Sequence, residues 1–304
     1  MSAADLLRGV SPVLSVPFQE DGALDLPGFA SVVDHVLATG VGSVLLFGLA
    51  SEFAKLDDEE RQDLLSVLLA RTRDRRDVSA IVSVTDHSAE VALRRARRYA
   101  GAGADVINVL PPSFLSPSTS QVLDHVSSIC AAVDVPVVLQ YAPSQTGVAI
   151  AVNDIVALAR SHPNLEVVKV ESQPPGRMVQ ELHQASGGRL RSLVGYAGVQ
   201  WPDAHVRGAV GVQPGCSATE VYVRALQLLD EGDQAGFLAL HGRALPWLTY
   251  WMQSVELVVA AEKLVLQRRG IVASARCRRP GYALDQREVA QVDAFLAEFD
   301  ELLA

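Results

Sequence analysis

Apolar runs recur along the chain at nearly even spacing, at 12–16, 43–47, 79–84, 105–110, 136–140, 166–170, 192–195 and 209–212. Each is followed by a stretch whose apolar residues return every three to four positions, near 28–39, 57–72, 88–101, 119–132, 152–161, 175–186, 198–207 and 217–230. The short β-rich runs read as strands and the longer periodic stretches as helices. Several runs are apolar at consecutive positions, so both faces must be covered, as in a parallel sheet flanked by helices. Eight β-then-α units with no polar linker predict a (β/α)8 TIM barrel. The competing arrangement is an open doubly wound sheet, but no GxGxxG turn follows the first run.

The pattern changes near residue 231. Helical periodicity then runs over 233–248, 251–269 and 286–303, with Gly270 and Arg278-Arg279-Pro280-Gly281 as stop and turn signals. The expected division is a barrel over 1–231 and a C-terminal helical extension over 232–304 packed on it.

Composition narrows the function. The formal net charge is −9, and no basic stripe is interleaved with aromatics, which argues against a nucleic-acid partner. The one basic cluster, Arg94-Arg95-Ala96-Arg97-Arg98, sits in a helical pattern and reads as a solvated face or subunit contact. No run reaches the roughly 18 apolar residues of a membrane span, and the N-terminus lacks the features of a secretory signal. The three cysteines form no CxxC pair and the seven histidines no HExxH, so a metal site is not expected. A reducing, cytoplasmic setting is the expectation.

Only three lysines are present, Lys55, Lys169 and Lys263, although arginine is abundant. Arginine stays charged at any accessible pH and cannot act as a neutral nucleophile. An ammonium in apolar surroundings is disfavoured relative to the free amine, which attacks carbonyls. Lys169 lies in such surroundings, in the run Leu165-Glu166-Val167-Val168-Lys169-Val170. Barrel enzymes carry their chemistry at the C-terminal ends of strands, and Lys169 falls there. Other strand ends offer Gly48, Leu49, Ala50 and Ser51, then Gln140, Glu171, Gly195 and Gln213. Glu171 is two residues past Lys169, so the two side chains point the same way on a strand. Schiff-base chemistry and a plain strand-end ion pair both fit that spacing.

Several motifs carry a resemblance over nearly the whole chain. They are Gly9-Val-Ser-Pro-Val-Leu-Ser-Val-Pro-Phe18, Asp25-Leu-Pro-Gly-Phe29, Gly48-Leu-Ala-Ser-Glu-Phe53, Leu56-Asp-Asp-Glu-Glu-Arg61, Ala100-Gly-Ala-Gly-Ala-Asp105, Pro143-Ser-Gln-Thr-Gly147, the Lys169 run, and Arg279-Pro280. On these the chain resembles the dihydrodipicolinate synthase / N-acetylneuraminate lyase family. The resemblance implies that Lys169 forms an imine with pyruvate or a related 2-oxo acid, with no cofactor. It implies a homotetramer, with Phe114 and Tyr141 able to supply an apolar subunit contact. It also implies that the loop 48–52 binds the oxo-acid carboxylate, through the N–H groups of Leu49, Ala50 and Ser51 and the Ser51 hydroxyl.

Departures from the family pattern are equally specific. The loop usually reads Gly-Thr-Thr-Gly-Glu, and both threonines are absent here. The strand-5 tyrosine that shuttles protons aligns with Gln140, which has no useful pKa for that task. The tyrosine supplied by a neighbouring subunit aligns with Phe114 or Ser113, and an arginine for a second carboxylate aligns with Gln145. Water, Ser51 or Glu171 must then handle protons. The expected activity is a class I lyase that makes or breaks a C–C bond beside a 2-oxo acid. The alternatives are a hydro-lyase on a deoxy-sugar acid and a non-catalytic 2-oxo-acid-binding relative. Lys55 and Lys263 are expected to be protonated surface amines, and Gln140→Tyr to raise turnover.

Overall fold

Eight parallel strands alternate with helices in a computed structural model that describes residues 7–114 and 116–303. This is the (β/α)8 barrel fold. The strands are β1 (Gly9–Val10), β2 (Ser43–Leu46), β3 (Ser79–Val84), β4 (Val106–Val109), β5 (Val137–Tyr141), β6 (Leu165–Val170), β7 (Arg191–Val194) and β8 (Gly211–Val212). Residues 1–6 of the N-terminus, read above for a signal, lie outside the described residues.

The chain forms two compact units. One combines residues up to Ser11 with Ser79–Gln213. In it β1-β8-β7-β6-β5-β4-β3 are hydrogen-bonded in that order. The registers oppose Ser83 to Asn108, Gln140 to Lys169 and Lys169 to Leu193. Side chains alternate along a strand, so Ser83, Asn108, Gln140 and Lys169 share one face. Ile107, Val109, Leu139, Val168 and Val170 take the other face and are fully buried. Each such burial contributes roughly 1.5–3 kcal/mol, and a one-residue slip would expose the whole set. Hydrophobic register thus fixes which polar groups meet. In the helix Ala89–Ala102, Ala92, Ala96 and Tyr99 are buried, while Arg94, Arg97 and Arg98 are exposed, which fits a solvated face and a subunit contact alike.

The other unit combines Pro12–Val78 with Pro214–Ala304. The boundary expected at 231 falls inside it: Gly232 turns the chain and Asp233 caps the helix Gln234–Trp251 by accepting the Gly236 N–H. Three further helices follow, Val255–Arg268, Gln286–Glu298 and the short Asp300–Leu303, so the helix expected over 286–303 is interrupted at Phe299. Trp251 and Phe295 meet edge to face at 5.0 Å between ring centroids, tying Gln234–Trp251 to Gln286–Glu298.

The first strand differs from the expected 12–16. β1 ends at Val10, and Ser11 N–H still reaches Val212 O at 3.0 Å. Pro12 has no N–H to continue the ladder. Beyond it, among the described residues, Val13 forms two isolated bridges, to Leu45 and to Gly215. The helix expected at 198–207 is also shorter, Trp201–Val206, because Tyr196 and Ala197 adopt positive φ (55° and 50°) and hold the preceding segment in a separate turn.

One polar cluster of this second unit holds a carboxyl in its charged form. Arg269 bonds Glu220 (3.2 Å from Nη1) and the carbonyls of Ser217 (2.6 Å) and Leu303 (3.1 Å), and His35 Nε2 lies 2.9 Å from Glu220. Burial alone would raise the Glu220 carboxyl, but His35 and Arg269 outweigh it and hold it at about 2. A carboxyl depressed on folding stabilises fully above its unfolded value, and that stabilisation is lost as pH falls from about 4.5 toward 2. Arg269→Ala should therefore lower stability at pH 7 yet flatten the decline in that window, read from urea midpoints at several pH values. An equally steep decline in the variant would place the acid sensitivity elsewhere.

Candidate active site

Lys169 is the fifth residue of β6, and its side chain is only 6% exposed. Its Nζ lies 3.2 Å from Glu171 Oε1. Glu171 lies just past β6, yet its N–H still donates to Tyr141 O at 2.8 Å, so the extended geometry persists and brings its side chain back beside Lys169. The second carboxylate oxygen accepts Gln140 Nε2 at 2.7 Å. A carboxylate only accepts, so the amide must turn its nitrogen that way, and Gln140 Oε1 is left to accept Asn108 Nδ2 at 3.0 Å. Asn108 Nδ2 also donates to Ser83 Oγ at 3.0 Å. A buried chain of contacts thus runs Ser83, Asn108, Gln140, Glu171, Lys169 across β3 to β6 and just beyond.

Two more elements shape the carboxylate. A side chain at Gly195 would overlap Glu171, so this glycine leaves room for the carboxylate. The left-handed turn at Tyr196 aims its N–H at Glu171 Oε1, 3.4 Å away. Gln213 Nε2 donates to Ser11 Oγ at 3.2 Å, while its Oε1 is buried with no hydrogen-bond partner among the described residues. Asn108 and Ser83 are not among the residues singled out from sequence. Their signal was a polar residue on one face of an otherwise apolar strand, Asn108 alone in β4 and Ser83 with Ser79 in β3.

Tyr141 points to the opposite face from Gln140, as the strand alternation expects, and its hydroxyl accepts the Ile150 N–H at 3.4 Å. Its side chain is buried, so it cannot join Phe114 in an exposed contact; Phe114 alone is 82% exposed.

The loop 48–52 belongs to the second unit. A side chain at Gly48 would lie 2.6 Å from Val13 Cγ1 and 2.7 Å from Leu45 Cδ2, so only glycine fits there. Leu49–Ser51 forms a 3-10 turn in which Ser51 N–H donates to Gly48 O at 2.9 Å. Ser51 Oγ donates to Leu14 O at 2.6 Å, and the residue is fully buried. Both Ser51 donors expected to hold a carboxylate are therefore already used within the unit. The turn leaves the N–H groups of Leu49 and Ala50 outside its own bonds.

The next residue, Glu52, is a buried anchor with φ 51°. It accepts Lys263 Nζ, Lys55 Nζ (2.9 Å) and the Arg278 N–H (3.1 Å). Lys263 is thus no surface amine. Its side chain is 1% exposed, donates to Arg276 O at 3.0 Å and sits 4.2 Å from the centroid of the Phe18 ring. Burial pushes its pKa down, against the opposing pull of Glu52. Lys55 is also partly enclosed, its side chain 11% exposed, and burial disfavours its ammonium, but the carboxylates of Glu256 (2.6 Å) and Glu52 outweigh this and raise its pKa. Among the described residues no group of three or more His, Cys, Asp or Glu is placed to hold a metal ion. No described helix is long and apolar enough to cross a membrane.

A model of the dihydrodipicolinate synthetase family matches residues 6–299. The chain belongs to this family. The 4-hydroxy-tetrahydrodipicolinate synthase of Methanosphaerula palustris is 27% identical over 97% of this chain and 100% of its own. The match to the enzyme of that name from Exiguobacterium sibiricum reaches 30% identity and spans about half of each protein, 55% of this chain and 56% of that one. Escherichia coli YagE, a candidate 2-dehydro-3-deoxy-D-gluconate aldolase, is 26% identical over 98% of this chain and 99% of its own. The structure of YagE in complex with pyruvate shares the fold, with TM-score 0.86 over 96% of this chain and 98% of that one at 24% identity. Synthases and an aldolase together define a lyase of aldolase type at the level of the family.

The site geometry reverses the effect expected of Gln140→Tyr. Gln140 is 2% exposed and makes hydrogen bonds to both Asn108 and Glu171. A tyrosine there loses both bonds and must fit a larger ring into a packed interior, at a cost of about 1–3 kcal/mol. Turnover should fall along with thermal stability. A steady-state assay showing a higher kcat would mean that the missing phenol, not the amide chain, limits the enzyme.

Proposed function

We propose that the protein is a Schiff-base-forming lyase that acts on pyruvate or a related 2-oxo acid. The observation that carries this reading is the buried Lys169 amine at a strand end, held 3.2 Å from a carboxylate able to take its proton. Attack of the free amine on the 2-oxo carbon and loss of water give a protonated imine. That cation withdraws electrons from the adjacent carbon, so a carbanion there is stabilised as an enamine and a C–C bond can form or break. The chemistry needs no cofactor, because the imine is its own electron sink. The resemblance supplies the substrate class, and the relative YagE holds pyruvate.

Borohydride reduction in the presence of pyruvate tests this directly. The expected result is a single pyruvyl adduct that maps to the peptide containing Lys169. An adduct mapping only to Lys55 or Lys263 would misplace the reactive centre. No adduct with any of a panel of 2-oxo acids would favour a non-catalytic relative.

A further inference from the structure

We infer that Glu171 transfers the protons of imine formation in this protein, and that Gln140 acts as a positioning residue that locks it for that task. The inference rests on the Schiff-base reading above and goes beyond it by assigning the acid–base group. The strand-5 position that would carry a phenol holds Gln140, whose amide cannot exchange protons usefully. Among the described residues, the titratable group paired with the amine is the Glu171 carboxylate, 3.2 Å from Lys169 Nζ. The other groups facing it are amides or backbone: Gln140 Nε2 at 2.7 Å and Tyr196 N–H at 3.4 Å. Gln140 holds Oε2, which leaves Oε1 directed at the amine. The bond from Asn108 fixes Gln140 in turn, and Gly195 leaves the space the carboxylate occupies.

The steps balance with this one group. Lys169 ammonium gives a proton to Glu171 carboxylate, and the free amine attacks the 2-oxo carbon while the carbonyl oxygen takes that proton back. The carbinolamine nitrogen, now cationic, returns a proton to Glu171. Glu171 then protonates the hydroxyl, water leaves, and the nitrogen lone pair completes the protonated imine. An ammonium and a carboxylate enter, and an iminium and a carboxylate remain. No net charge is created in a buried site, where an uncompensated ion would be costly. A tyrosine relay is neutral and offers no such counter-ion, so the carboxylate takes over both tasks here.

The test is the rate of borohydride-trapped adduct formation with saturating pyruvate in wild type, Glu171→Gln, Glu171→Asp and Glu171→Ala, with melting followed in each. General acid–base groups contribute about 10²–10⁴-fold, and Glu171→Gln should slow trapping by that order without unfolding the protein. Glu171→Asp keeps the carboxylate and should retain much of the rate. Added formate should restore part of the rate in Glu171→Ala, since it fits the vacated space and supplies the lost group. Gln140→Leu should slow trapping less than Glu171→Gln, lower kcat rather than alter KM for pyruvate, and gain nothing from formate. Trapping at the wild-type rate in folded Glu171→Gln would overturn the role of Glu171 and leave the Schiff-base reading intact. Absence of a Lys169 adduct in wild type would overturn both. If Glu171→Gln does not fold, formate rescue of Glu171→Ala decides: rescue supports the role, and a formate-independent wild-type rate removes it.

Discussion

Lys169→Arg is expected to abolish both turnover and borohydride trapping while the fold survives. The guanidinium keeps the positive charge opposite Glu171, so the buried carboxylate remains paired. It cannot give up its proton at any accessible pH, so no neutral nucleophile remains. The longer side chain must fit a site only 6% exposed, at a cost of about 1–3 kcal/mol, a tolerable fraction of a typical domain's stability. Circular dichroism should show native secondary structure with a lowered melting temperature. Lys55 and Lys263 cannot substitute, because Glu52 and Glu256 engage the one and Glu52 the other. Activity retained in this variant would remove Lys169 from the chemistry altogether.

The second large effect is on stability. Lys263→Ala should destabilise the protein by about 3 kcal/mol, the lower end of the roughly 3–5 kcal/mol expected when one partner of a buried ion pair is removed. The lower end is expected because Glu52 keeps Lys55 and the Arg278 N–H. The interaction with the Phe18 ring is lost as well. Urea denaturation with an unchanged m-value measures it. A surface lysine would give a change within about 0.5 kcal/mol, and that result would contradict the burial seen here.

Much of the architecture was legible in the chain because the signals are local. A strand needs an apolar run and a helix needs its periodicity, and each can be read within a dozen residues. The i, i+2 spacing alone put Lys169 and Glu171 on one side, and the structure joins them at 3.2 Å. The same parity argument turned Tyr141 away from Gln140. Errors came where a long-range partner decides. Ser51 looked like a free hydroxyl in a loop, but Leu14 O takes its hydrogen. Lys263 sat in a helical pattern that does not reveal Glu52, 211 positions away. Pro12 could have warned that the first strand would break, since a residue without an N–H cannot sustain a ladder.

By itself the sequence determined the eightfold alternation, the family motifs and the placement of Lys169 at a strand end, because periodicity and chemical identity are properties of neighbouring residues. Only the tertiary structure decided what Lys169 faces. Ser83, Asn108 and Gln140 enter the chain of contacts because the registers of β3 to β6 place them on one face, and those registers follow from burying the opposite, apolar faces. Gly195 matters because Glu171 needs its empty side-chain space, which no local pattern records. Burial separates the three lysines in the same way: it leaves Lys55 in a half-open ion pair, encloses Lys263 against Glu52 and Phe18, and holds Lys169 beside Glu171.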